Sequence, residues 1–400
     1  MTGTDHSRRL LAILVCGSVI VTLAMGMRHG FGLFLQPMSA DLGWNRQAFS
    51  FAIALQNLLW GMAQPFAGGL ADRYGAPRVI VGGALLYAAG LALMTVSTVP
   101  LTLSLSGGLL IGLALSGVTY SVIYGVVGRS FPEHKRSQAM GMVAAAGSFG
   151  QFLLVPFEQW LIGGFGWSGA LLALAAIALI MAPMALGLRE PPRAVLAGSQ
   201  TIRQALAEAF RNGSFWLLTA GYFVCGFQVV FIAIHLPAYL KDHGLAPHVA
   251  VTALALIGLF NIIGTWSAGQ LGARLPKKYL LAGIYGLRSV VIIAFLLAPL
   301  SPMSVYLFAS AIGVLWLSTI PLTNGIVAVV FGVRYLAMLG GFVFFSHQIG
   351  SFFGVWLGGL LYDRTGNYNV VWGIAIALGI FAMLINMPIR EKPLTRLATA

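Results

Sequence analysis

Apolar runs of about twenty residues follow one another along almost the whole chain, each long enough to cross a hydrocarbon core of roughly 30 Å as a helix. Twelve spans are predicted, near residues 10–36, 47–70, 77–97, 101–128, 137–162, 167–188, 214–240, 248–272, 279–299, 303–330, 335–361 and 369–389. Of the 400 residues 58% are apolar and only 8% are charged, which excludes an ordinary soluble domain. The expected class is an all-α membrane protein with twelve transmembrane helices in two pseudo-symmetric six-helix bundles.

The net charge of +13 invites a nucleic-acid reading, but the placement of the basic residues argues against it. With the N-terminus inside, eighteen of the 23 Lys and Arg fall in segments on that side, among them Arg8, Arg9, Arg73, Arg78, Arg129, Lys135, Arg136, Lys277 and Lys278. Arg46, Lys241 and Arg364 fall outside. This positive-inside bias predicts a multi-pass protein of a cell membrane, of the bacterial inner-membrane type, with both termini cytoplasmic. The first apolar run is too long for a removable signal peptide and lacks a small-residue cleavage site, so it reads as helix 1. Cys16 and Cys225 lie within spans and imply neither a disulfide framework nor a metal cluster.

Arg189 to Gly213 is the longest polar interruption, opened by the Pro191-Pro192 pair. It divides the chain into an N-terminal bundle at 1–190, a cytoplasmic linker at 191–213 and a C-terminal bundle at 214–400. Within the linker, Ile202, Leu206 and Phe210 share one helical face opposite Arg203 and Glu208, the pattern of a short amphipathic helix on the membrane surface. The halves echo each other at an offset of 201 residues: Gly68-Gly-Leu-Ala-Asp-Arg-Tyr-Gly-Ala-Pro-Arg78 has a weakened counterpart in Gly269-Gln-Leu-Gly-Ala-Arg-Leu-Pro-Lys-Lys278.

Acids are nearly absent from the spans: only Glu158 is intramembrane, whereas Arg28 and Arg288 both lie inside apolar runs. A charge in hydrocarbon costs at least about 2.5 kcal/mol, so such residues usually face a bundle interior or a watery cavity. The basic character of the interior favours an anionic cargo, and the planar fork of Arg28 suits a carboxylate. A structural role for Arg28, paired with Glu158 or with backbone carbonyls at a helix break, is the alternative reading. His347, in the middle of span 11, is a candidate both for anion binding and for carrying a coupled proton; His29 and Glu158 are further proton candidates. Arg288 is read as reaching toward the cytoplasmic interface, and His235 as a rim or packing residue. No nucleophile triad, metal-ligand spacing or phosphate loop is present. No enzyme activity, cofactor or metal is expected, and the loop at 189–213 is too short for a nucleotide-binding domain.

Gly68, Asp72, Arg73, Gly75 and Arg78 resemble the signature between helices 2 and 3 of major facilitator superfamily transporters. The resemblance implies two halves built from repeated units, and a motif that stabilises the outward-open state, with Asp72 meeting the N-terminal end of a facing helix. The chain is similar in particular to the monocarboxylate porter type, through Arg28-His-Gly-Phe-Gly-Leu-Phe34, Pro37-Met-Ser-Ala-Asp-Leu-Gly-Trp44 and Leu360-Leu-Tyr-Asp-Arg-Thr-Gly-Asn-Tyr368. It departs from that type in span 8, where the usual Arg position holds Thr265 and a nearby acidic position holds Asn261. Because helices 4, 5, 7, 8, 10 and 11 line the cavity in such proteins, the resemblance adds Tyr120, Gln151, Gln228, Asn261, Trp316 and Gln348 to Arg28 and His347 as substrate-binding candidates. The expected function is secondary active transport of small organic anions, monocarboxylates above all, by alternating access with proton symport, as a monomer in the bilayer. Efflux of amphipathic or aromatic compounds is the alternative, and a non-transporting membrane sensor is a third reading.

Overall fold

The structure, a computed structural model, describes residues 3–188, 201–332 and 335–394, without the side chains of 3–6, 72, 133–138, 202 and 337. These residues are helical almost throughout, and no strand occurs among them. The predicted linker segment 191–200 and the side chain of Asp72 lie outside the described residues.

The first half contains α1 (Gly3–His29), α2 (Phe31–Leu42), α3 (Arg46–Tyr74), α4 (Ala76–Met94), α5 (Pro100–Leu103), α6 (Ile111–Val118), α7 (Tyr120–Ser130), α8 (Glu133–Ala178) and α9 (Met181–Met184). A π-helical turn, Ser104–Leu110, joins α5 to α6. The short α10 (Ile202–Phe210) precedes the second half: α11 (Gly213–Asp242), α12 (Pro247–Arg274), α13 (Lys277–Leu297), α14 (Pro302–Leu315), α15 (Thr319–Phe331), α16 (Leu336–Thr365) and α17 (Asn369–Asn386). Ten helices among the described residues are long and apolar enough to cross a membrane. One of them, Ala139–Leu188, carries the predicted fifth and sixth spans across a backbone break at Gly166, whose φ of 69° and ψ of 174° only glycine adopts without strain. α3 carries Gln56, Asn57 and Gln64 and falls outside the ten.

Three predicted spans are interrupted. The first bends at Gly30, between α1 and α2. The fourth breaks at Thr119, in extended conformation with φ −106° and ψ −168°. The tenth breaks at residues 316–318, between α14 and α15. The two latter breaks occupy equivalent places in the two halves, and residues 201 positions apart attend them. Trp60 donates its indole N–H to Thr119 Oγ1 (3.2 Å), and Asn261 accepts the Leu317 backbone N–H (3.0 Å).

α10 forms with a Thr201–Gln204 capping box, as a helix start of this kind requires. Its buried face is Ala205 and Ala209, however, while Phe210 is exposed and stacks on Trp216 at 5.6 Å. Small residues allow this helix to approach the bundle, and exposed Phe210 lies on the predicted apolar face.

Of the helix pairs that join the halves, α3 with α16 and α8 with α12 both diverge along their length. Gly61 touches Gln348, yet Gly68 and Gly341, each seven residues onward on the same helix face, have no neighbour within 4 Å of a would-be Cβ. Gly258 touches Gln151, and Gly269 and Gly141, farther in the same direction, are likewise unapproached. The halves are thus packed at the end remote from the chain termini, called here the distal end, and part toward the terminal end.

Candidate functional site

Arg28 ends α1 with only 8% of its surface exposed. Its guanidinium donates to Asn57 Oδ1 at 2.5 Å and lies 4.9 Å from the centre of the Trp60 ring. Asn57 is itself oriented, because its Nδ2 donates to the Ile53 carbonyl at 2.7 Å. Arg28 Nε has no hydrogen-bond partner. A cleft of about 10 Å³ adjoins the guanidinium, lined by Arg28, Ile53, Gln56, Asn57, Val230, Ala233 and Ile234. It lies between the halves and has room for no more than one water. A Cβ on Gly32 would strike the backbone of Ala233 and Ile234, so α2 and α11 are in close contact on the distal side of the cleft.

Glu158 does not pair with Arg28. Its carboxyl is wholly buried, and neither oxygen has a hydrogen-bond partner. The carboxyl occupies the place where a Cβ on residue 30 would stand, which is why the α1–α2 bend carries glycine. Of the two structural readings of Arg28, pairing with Glu158 is therefore corrected: helix packing turns the carboxyl to Gly30, while α3 presents Asn57 to the guanidinium.

His29 turns back on its own helix, Nδ1 lying 2.5 Å from the Met25 carbonyl oxygen. His347 lies 3.1 Å from Gln348 Oε1 and packs against Tyr222, ring centres 4.9 Å apart. It reaches Arg28 only through rings, being stacked on Phe344, which meets Trp60 edge-on at 5.3 Å. Gln348 Nε2 is buried without a partner. Tyr120 stacks near Tyr124, ring centres 5.4 Å apart, and its hydroxyl faces Gly147 of α8.

Several other candidates are held in structural contacts. Gln151 donates to the Leu254 carbonyl (3.0 Å) and Asn261 to Ser148 Oγ (2.9 Å), both across the seam between the halves. Gln228 donates to Ala375 of α17 (2.8 Å), on the side away from the seam, because its helix face is turned toward α13 and α17. Trp316 is buried at the end of α14, and its carbonyl accepts from Arg288. Arg288 also donates twice to the Leu315 carbonyl (3.1 and 2.7 Å) and to Gln228 Oε1 (3.4 Å). This corrects its reading as a residue reaching for the interface: it satisfies the orphan carbonyls where α14 stops, and its charge complements that helix end.

Sequence reasoning left unnominated the partners of Arg28 on α3, Asn57 and Trp60, and Gln56, which lines the same cleft. It also missed a latch at the distal end. Arg46 grips Asp242 in a two-pronged pair (2.7 and 2.6 Å), donates to Tyr368 Oη (2.9 Å) and lies 3.7 Å over the Tyr362 ring. Burial acts to lower the Arg46 pKa, but Asp242 and Tyr368 outweigh it, and the net shift is upward. Gln36 donates to the same carboxylate at 3.0 Å. Asp363 accepts the backbone N–H groups of Arg46 (3.2 Å) and Gln47 (2.8 Å), a carboxylate of the second half set on the positive end of a first-half helix. The only signal available in the sequence was the scarcity of charges, which makes each of these worth a partner search.

The profile of the Major Facilitator Superfamily matches residues 14–355. The chain belongs to that superfamily. It is 26% identical over 399 residues to the uncharacterized MFS-type transporter YcxA of Bacillus subtilis (strain 168), covering 92% of this chain and 93% of that one. To monocarboxylate transporter 13 of Bos taurus it is 26% identical, covering 92% and 86%, and to the oxalate:formate antiporter of Oxalobacter formigenes 22%, covering 88% and 85%. Among solved structures it is similar in fold to a bacterial homolog of the human lysosomal transporter Spinster in an inward-facing and unoccupied conformation. There the TM-score is 0.71 at 17% identity, with 96% of this chain and 95% of that one covered. This superfamily member is an all-α, multi-pass membrane protein of a transporter family.

Proposed function

We propose that the protein is a secondary active transporter of small organic anions, monocarboxylates in the first place, driven by proton symport. Arg28 carries the reading. It is a cation buried between the halves with one N–H still uncommitted and no carboxylate to neutralise it, at the point where the seam closes. A carboxylate entering there gains a charge-assisted hydrogen bond in a water-poor setting. The relatives named monocarboxylate transporter and oxalate:formate antiporter lend support from a different direction.

Alternating access follows from two bundles, at 1–190 and 214–400, rocking about the Arg28 level. With the termini cytoplasmic, parting at the terminal end makes this conformation inward-open, with the Arg46 latch shut on the outside. The motif of Gly68, Asp72, Arg73, Gly75 and Arg78 would then hold the opposite closure. Glu158 is the stronger proton carrier: its carboxyl has no counter-charge, and an uncompensated buried charge costs several kcal/mol. It stands against the α1–α2 bend, so a proton gained or lost there bears on the helix that carries Arg28. His347 is the second candidate.

The test is uptake into proteoliposomes over a panel of carboxylates, with and without a pH gradient. Uptake is expected to be carboxylate-selective, to rise with an inward proton gradient and to collapse in Arg28→Ala. Full activity in that variant would remove the central claim. Loss of the gradient response in Glu158→Gln, with exchange at equal pH retained, is the expected mark of the proton carrier.

A further inference from the structure

Two of the residues that line the cleft, Arg28 and Gln56, each hold a buried polar atom without a partner. One is a donor, Arg28 Nε; the other is an acceptor, Gln56 Oε1. Gln56 is 1% exposed, and its amide cannot be turned at no cost. Nε2 donates to the Gly107 carbonyl at 2.8 Å, and the reversed amide would set oxygen against oxygen. Asn57, its chain neighbour, accepts from Arg28 and donates to Ile53, so its amide is fixed in orientation by those two bonds. The cleft therefore combines a cationic donor with one fixed, uncharged acceptor.

We propose that Gln56 sets substrate specificity: it accepts a hydrogen bond from a hydroxyl on the carbon next to the carboxylate, so that 2-hydroxy monocarboxylates are carried ahead of 2-oxo and unsubstituted ones. The inference rests on Arg28 holding the carboxylate. A ligand with an acceptor and a donor on adjacent carbons satisfies both orphan atoms. A 2-oxo acid presents a second acceptor to Gln56 Oε1, and an unsubstituted acid leaves that oxygen buried and unpaired. A site built to pair a substrate hydroxyl discriminates strongly against analogues that lack it, because its own polar group is then stranded. The cleft is too small for any of these molecules as it stands. Binding requires Val230, Ala233 and Ile234 of α11 to draw back from α3, as rocking of the halves would bring about.

Uptake of labelled lactate, pyruvate and propionate, three acids of one chain length, tests this in proteoliposomes of the wild type, Gln56→Leu, Gln56→Met and Arg28→Gln. The wild type is expected to prefer lactate at least about tenfold in initial rate over the other two. In Gln56→Leu and Gln56→Met the three rates should fall within about twofold of one another. Absence of the lactate preference in the wild type overturns the inference without any variant. So does an unchanged preference in a Gln56 variant that still carries propionate. Arg28→Gln separates the two levels: full uptake of all three acids there sinks the anion-site reading, whereas lost uptake there with an intact preference in Gln56→Leu sinks the role of Gln56 alone.

Discussion

Two arginines sit alike in apolar runs, and what distinguishes them is the state of their donors. Arg288 gives its nitrogens to two backbone carbonyls and a glutamine, while Arg28 retains a free Nε. Replacing Arg288 by Leu should strand the carbonyls that end α14, at about 1–3 kcal/mol for each buried polar group left unpaired. The expected outcome is a melting temperature in detergent several degrees lower, read by tryptophan fluorescence, whereas Arg28→Gln should melt close to the wild type and fail in transport. Gly30→Ala makes a second residue-scale prediction. Its methyl would collide with the Glu158 carboxyl, so it should destabilise by roughly 1–3 kcal/mol, the usual range for overpacking. Adding Glu158→Ala should restore much of that loss, and a double-mutant cycle without coupling between the two positions would disprove the contact. That Arg28 is unusual was legible in the sequence. That its neighbour is Asn57 was not, because the facing of two helices depends on their packing.

At the scale of elements, the chain's internal duplication reaches further than its repeated motifs. Trp60 and Asn261 lie 201 residues apart, share no chemistry, and each attends a break in an otherwise continuous span. Asn261 does three things there: it accepts from Leu317 and Thr265 and donates to Ser148 across the seam. Asn261→Leu should consequently lower the melting temperature and also loosen the α8–α12 pair, seen as faster hydrogen exchange in Gly141–Leu154 and in Leu254–Gly269. Trp60→Phe keeps the ring over Arg28 and loses only the bond to Thr119, so an effect below about 1.5 kcal/mol is expected. Gly117 stands two residues before the first break, and Pro321 follows the second, where it denies the Leu317 carbonyl its helical donor, but Thr119 and Trp316 themselves read as ordinary span residues. Hydropathy reports the length of an apolar run, and a helix whose broken ends are satisfied by neighbouring side chains leaves no trace in it.

For the molecule as a whole, the distal latch sets which side is shut. Arg46→Gln or Asp242→Asn removes the two-pronged pair but leaves Asp363 on the α3 N-terminus, so the closed form should weaken by about 1–3 kcal/mol, or 5–150-fold in the conformational equilibrium. A cysteine at Ile234, in a background of Cys16→Ala and Cys225→Ala, should then react faster with a membrane-impermeant maleimide added on the distal side. Unchanged labelling in both variants would show the latch to be ornamental. High salt should mimic part of the effect, since the pair is not fully buried. The sequence by itself determined that this is a helical membrane protein of duplicated halves with a basic interior, because apolar runs of about twenty residues cross hydrocarbon as helices and make each intramembrane charge conspicuous. Only the tertiary structure decided the partners: Asn57 for Arg28, Gly30 for Glu158, helix ends for Arg288 and Asp363, and the distal end as the closed one. Residues hundreds of positions apart meet through the angles at which helices cross, and those angles arise from packing along entire faces.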